Sequence, residues 1–107
     1  SELSTPLILV LGHESCGAVA AGVKALKDNA RFPSQIQNLA DAIKPSVRKV
    51  LKAPGNLLDN AIAQNVKDAV KRLKVESPIL SAALEEGKLN IVGGIYRLGS
   101  GEVDIIV

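Results

Sequence analysis

Residues Pro6–Val19, PLILVLGHESCGAV, decide how this chain is read. Leu7 to Leu11 is an unbroken apolar run bounded by Pro6 and Gly12, the pattern of a strand covered on both faces in a sheet flanked by helices. Gly12 permits a sharp turn off the strand end, and Ala18-Val19-Ala20-Ala21 starts a helix whose first amides point back at that turn. The turn holds the only histidine, His13, and the only cysteine, Cys16. In parallel sheets ligands gather beyond the carboxyl ends of the strands, so the imidazole and the thiol stand where a site forms. Gly17 beside the thiol is expected to allow close backbone approach, and the partial positive charge of a helix start favours thiolate over thiol.

The two residues between His13 and Cys16 leave a spacing at which nitrogen and sulfur close on one ion, and zinc accepts this pair. One His-x-x-Cys is nonetheless half of a four-coordinate site. On spacing alone, a buried structural cysteine beside a hydrogen-bonded histidine explains the pair equally well. A hydrolase elbow fits worse, because it needs glycine two residues before and after the nucleophile, whereas His13 precedes Ser15 and Glu14 precedes Cys16. The glycine patterns of dinucleotide and P-loop sites are absent.

Composition narrows the partners. A chain of 107 residues suits one domain, residues 1–107, and 47% hydrophobic with 22% charged residues is the balance of a folded globular chain. Phe32 and Tyr96 are the only aromatic residues, so stacking platforms for single-stranded nucleic acid are missing. The net charge of +2 is spread among acidic residues without a basic run, and nothing calls for nucleic acid. A single cysteine forms no intrachain disulfide, which favours a reducing, cytoplasmic setting. No apolar run has the length of a membrane span.

Outward from the opening stretch, Ser1 to Thr5 is a polar lead-in that offers no earlier strand to cover the neighbouring edge. A helix is expected from Gly17 to Lys27. Ile36, Leu39, Ala40, Ile43, Val47, Val50 and Leu51 then recur at helical spacing, with Pro45 splitting or kinking that helix. Asn56 caps the next helix, whose broad face carries Leu58, Ala61, Ile62, Asn65, Val66, Ala69, Val70 and Leu73. On that helix Asp68 stands four residues before Arg72, a pairing distance, and Lys67, Lys71 and Lys74 form a solvated stripe. Ser77-Pro78 starts a further helix that Gly87 stops. Leu89–Leu98 reads as a strand, Gly99–Gly101 as a turn and Glu102–Val107 as a returning edge strand. The fold class is α/β: a three-layer-type domain with a small mainly parallel sheet, an antiparallel carboxyl-terminal edge hairpin and flanking helices.

With these residues in view, Leu9–Val19 resembles the second zinc motif of the β-class carbonic anhydrases, where a strand ends in Gly-His-x-x-Cys-Gly. Asn65-Val66, Ser77–Leu80, Glu86–Tyr96 and the Gly99–Val103 hairpin follow in the order and spacing of that family's carboxyl-terminal half. The resemblance implies that His13 and Cys16 bind catalytic zinc, that Gly12 and Gly17 support the turn, and that zinc acts on water as a Lewis acid to hydrate carbon dioxide reversibly to bicarbonate. It also implies a homo-oligomer, a dimer with the active site at the subunit interface.

The family's remaining ligand cysteine and its Asp-Arg pair belong to a Cys-x-Asp-x-Arg motif on an earlier strand, which this sequence lacks. Two readings follow. The chain is the part of a zinc carbonic anhydrase that supplies the His-x-x-Cys half of the site, or it is a catalytically inactive truncated domain that self-associates. As a variant of the second, two copies of His13 and Cys16 meet on one structural zinc across a two-fold axis.

Overall fold

The computed structural model describes residues 6–107, and the expected lead-in of residues 1–5 lies outside them. In chain order it forms β1 (Leu7–His13), α1 (Gly17–Lys27), α2 (Gln35–Val50), α3 (Leu57–Glu76), α4 (Pro78–Glu85), β2 (Asn90–Tyr96) and β3 (Val103–Ile105). The helix boundaries follow local chemistry. The Asn56 side chain accepts the Asp59 amide at 2.9 Å, and the Ser77 hydroxyl accepts the Leu80 amide at 3.3 Å ahead of Pro78. Gly87 ends α4 at a φ of 71°, a left-handed conformation in which glycine is unstrained.

Pro45 does not split the segment into two helices, for α2 runs through it. The proline lies exposed, while Ala40, Ile43, Ser46 and Val47 on both sides of it are buried. Packing of that continuous face outweighs one missing backbone donor.

The sheet has the order β1-β2-β3. β1 and β2 are parallel, in register from Leu7 opposite Asn90 to His13 opposite Tyr96, and β2 and β3 are antiparallel from Gly94 opposite Ile105 to Tyr96 opposite Val103. Pairing continues past β3, because Gly93 donates to the Val107 carbonyl at 3.0 Å and its own carbonyl accepts the Ile106 amide at 2.9 Å. The α/β class with a small sheet, an antiparallel terminal hairpin and flanking helices is the one expected; the sheet is mixed, with its longer pairing parallel.

Alternation then sorts the side chains. Ile8, Val10 and Gly12 share a face with Ile91, Gly93 and Ile95, and α3 packs against β1 and β2. Ile62, Val66 and Ile95 join Val19, Ile43, Val47 and Ala61 in the main core cluster, which ties α1 and α2 to α3. The closest fit is at Val66. A Cβ added at Gly12 would lie 2.6 Å from Val66 Cγ2, and one added at Gly93 would lie 2.6 Å from Val66 Cγ1.

On the other face, coverage departs from expectation. Leu7, Leu9 and Leu11 are 60%, 42% and 52% exposed, so among the described residues β1 is covered on one face only. The apolar run marked the strand correctly, but α1 and α2 pack on each other and on α3, which leaves these leucines beside Val103 and Ile105 on an open surface. β1 is also an edge strand within the described sheet.

The predicted Asp68–Arg72 pair is replaced by a tertiary one. Asp68 accepts from the Ser46 hydroxyl at 2.6 Å, Lys49 Nζ at 2.8 Å and Gln64 Nε2 at 2.9 Å. Its side chain is only 11% exposed and Ser46 is buried, so these bonds fasten α2 to α3 in a partly dry setting. Burial works against the carboxylate, yet the bonds from Lys49, Ser46 and Gln64 outweigh it and hold Asp68 below the usual carboxylate range.

Two outcomes follow. Gly93→Ala should destabilise the fold by about 1–3 kcal/mol, the usual cost of overpacking, as read from the midpoint of urea unfolding, because the new methyl meets Val66, Val107 and Val70. Asp68→Ala should cost about 1–3 kcal/mol at neutral pH by stranding the Ser46 hydroxyl. A depressed folded-state value means that the carboxylate's contribution is present above the unfolded value of about 3.9 and lost as pH falls through the folded one. The variant should therefore lose less stability than the wild type on acidification below that range, as urea titrations at neutral and acid pH would measure.

Candidate metal centre

His13 is the last residue of β1, and Cys16 is the N-cap of α1 with extended dihedrals of φ −68° and ψ 116°. Only Glu14 and Ser15 separate them. The reversal depends on Ser15, whose φ of 55° is left-handed. That conformation is strained for residues with a Cβ. Gly12, expected to make the sharp turn, lies inside β1, where its missing side chain seats Val66. Gly17, expected to admit close backbone, is the first residue of α1, and a Cβ added there would meet nothing within 4 Å.

The register puts His13 on the same sheet face as Leu11, Tyr96 and Val103, at the carboxyl end of the open surface. Its Nδ1 lies 2.9 Å from the Glu14 carbonyl oxygen. A carbonyl only accepts, so a hydrogen bond here puts a proton on Nδ1, which in the neutral ring leaves the Nε2 lone pair for a ligand. Cys16 is a free, half-buried thiol packed against the main core cluster, and its carbonyl accepts the Ala20 amide at 3.0 Å. The Cys16 side chain makes no capping hydrogen bond. The turn thus carries one nitrogen and one sulfur donor, a set that suits zinc in kind. Among the described residues no group of three or more His, Cys, Asp or Glu side chains is placed to hold a metal.

Sequence reasoning missed what holds the turn. The Glu14 amide donates to the Tyr96 carbonyl at 3.1 Å, and Glu14 Oε1 accepts the Leu98 amide at 2.8 Å. Glu14 Oε2 is 3.6 Å from Arg97, whose Nε donates to Asp104 Oδ2 at 2.7 Å. The hydrogen bond to Asp104, reinforced by both carboxylates, raises the Arg97 guanidinium further above its already high value. Glu14 and Leu98 are 84 positions apart, so no local pattern announces the contact.

A strand-to-helix turn bearing histidine and cysteine on a mixed α/β sheet defines a class, an α/β domain with an N/S donor pair at a strand end. Similarity to known proteins makes it specific. The carbonic anhydrase family model matches residues 1–103. A carbonic anhydrase of Mycolicibacterium smegmatis is 38% identical over 104 residues, covering 96% of this chain and 50% of that protein. The structure of a Coccomyxa β-carbonic anhydrase in complex with acetazolamide superposes with a TM-score of 0.74 at 26% identity, over 94% of this chain and 46% of that one. One of two tetrameric β-carbonic anhydrases from Sordaria macrospora shares the fold with a TM-score of 0.79 at 22% identity, over 94% and 51%. This chain belongs to the carbonic anhydrase family, in its β class. It spans about half the length of the curated relatives it matches. Among the described residues no helix is long and apolar enough to cross a membrane.

The left-handed turn gives a direct test. Ser15→Gly should leave stability unchanged or slightly raised, whereas Ser15→Val should cost about 1–2 kcal/mol, as judged from chemical unfolding midpoints.

Proposed function

We propose that this chain supplies the His-x-x-Cys half of the zinc centre of a β-class carbonic anhydrase, which reversibly hydrates carbon dioxide to bicarbonate. One observation carries the reading: the His13 imidazole is tied through Nδ1 to the Glu14 carbonyl, which leaves Nε2 as a ligand atom in the same short turn as the free Cys16 thiol. Zinc, when bound, supplies Lewis-acid polarisation that makes water a nucleophile near neutral pH. His13 and Cys16 would hold two of its four positions. The other protein ligand and the family's Asp-Arg pair are supplied by sequence outside this chain, and residues 1–107 form part of a larger catalytic domain. Family membership and the match in fold support this reading.

A second reading, a catalytically inactive domain that self-associates, is favoured by the exposed Leu7, Leu9, Leu11 and Ile105 surface. Dimerisation belongs to either reading.

Cobalt(II), a spectroscopic stand-in for zinc, separates the donor pair from a structural cysteine. The wild-type chain should develop a thiolate-to-metal absorption band that Cys16→Ser abolishes, and His13→Ala should weaken binding by about tenfold or more. Carbon dioxide hydration, followed by stopped flow, should rise above background only when a polypeptide carrying the Cys-x-Asp-x-Arg half is added. Absence of the band at saturating cobalt would reject the zinc-ligand role. A band without any gain in hydration would favour the inactive domain.

A further inference from the structure

Every polar group of Glu14 that meets another part of the chain near the turn has a use. Its carbonyl accepts from His13 Nδ1, its amide donates to the Tyr96 carbonyl, and its carboxylate accepts the Leu98 amide while facing Arg97. Arg97 is held in turn by Asp104 on β3. The peptide that orients the imidazole is therefore anchored at three points to the β2–β3 hairpin. Without the side-chain anchor, the carbonyl that receives Nδ1–H is attached to a turn whose next residue, Ser15, sits in a strained left-handed conformation.

We propose that Glu14 is a positioning residue for His13: its carboxylate, clamped on the Leu98 amide and Arg97, fixes the Glu14 carbonyl so that His13 is held as the Nδ1–H tautomer with Nε2 directed outward as a ligand. This rests on the zinc-ligand reading for its purpose but not for its test, because the tautomer exists without metal. The imidazole of an unconstrained histidine has no carbonyl selecting Nδ1–H, and the nitrogen that keeps its proton is set by the hydrogen bond the ring makes. The Glu14 carboxylate does not touch the ring and acts through its own backbone. Arg97, just past the end of β2, and Asp104 on β3 complete the clamp, so the hairpin, distant in sequence, governs the donor geometry of the first strand.

His13 is the only histidine, so a long-range proton–nitrogen-15 correlation spectrum in mildly alkaline solution reports its tautomer without assignment ambiguity. The wild-type chain should show Nδ1–H as the major form. Glu14→Ala should shift the ratio several-fold toward Nε2–H and weaken cobalt(II) binding about tenfold, the lower end for loss of a ligand's supporting partner. Glu14→Gln should largely restore both, since its amide oxygen still accepts from Leu98. If Glu14→Ala does not fold, Glu14→Asp, one methylene too short for Leu98, replaces it with the same expected shift. A wild-type spectrum dominated by Nε2–H would overturn the proposal outright. So would a folded Glu14→Ala that keeps the wild-type tautomer ratio. Failure of the wild type to bind cobalt with the tautomer response intact would instead sink the zinc-ligand reading and leave the positioning role standing.

Discussion

Val66 of α3 sits with its two methyl groups directly over the backbones of Gly12 and Gly93, and the remainder of the domain is arranged around that contact. The helix approaches β1 and β2 this closely only because neither position carries a Cβ. Once α3 is seated there, Ile62 and Val66 reach Ile95 and the core that holds α1 and α2. The same seating fixes the end of β1, because Gly12 is the residue before His13. A packing constraint one residue away thus places the candidate ligand.

The two sheet faces consequently differ in kind. Beneath α3 the strands are buried, with Ile91 and Ile95 almost wholly enclosed. On the opposite side Leu7, Leu9, Leu11, Tyr96, Val103 and Ile105 form an apolar surface that no described element covers, and His13 stands at its carboxyl end. Such a surface favours association by the hydrophobic effect. In a chain half as long as its relatives, that open face and the bare edge of β1 are where the proposed remaining half of the zinc site, or a second copy, would meet the turn.

Polar contacts show how tertiary structure reassigns residues. Asp68 and Arg72 stand at helical pairing distance, but α2 brings Ser46 and Lys49 to Asp68, and a partly buried site with three donors outcompetes an exposed pair with one. Pro45 shows the same hierarchy at the backbone, since a buried face continuous across the proline holds α2 together. Around the His13–Cys16 turn, Glu14 would pass as a solvated residue between two candidate donors until the β2–β3 hairpin arrives with Arg97, Leu98 and Asp104.

The sequence by itself determined the elements and singled out the candidate donors. Apolar runs, helical periodicity, the Asn56 and Ser77 caps and Gly87 are local signals, and His13 with Cys16 is a unique pair at a strand end that resembles a family motif. Tertiary structure alone decided the roles of the glycines, the left-handed turn at Ser15, the one-sided cover of β1 and the Glu14 clamp. Each of these depends on which atoms lie next to one another across dozens of residues, and neither composition nor periodicity carries that information.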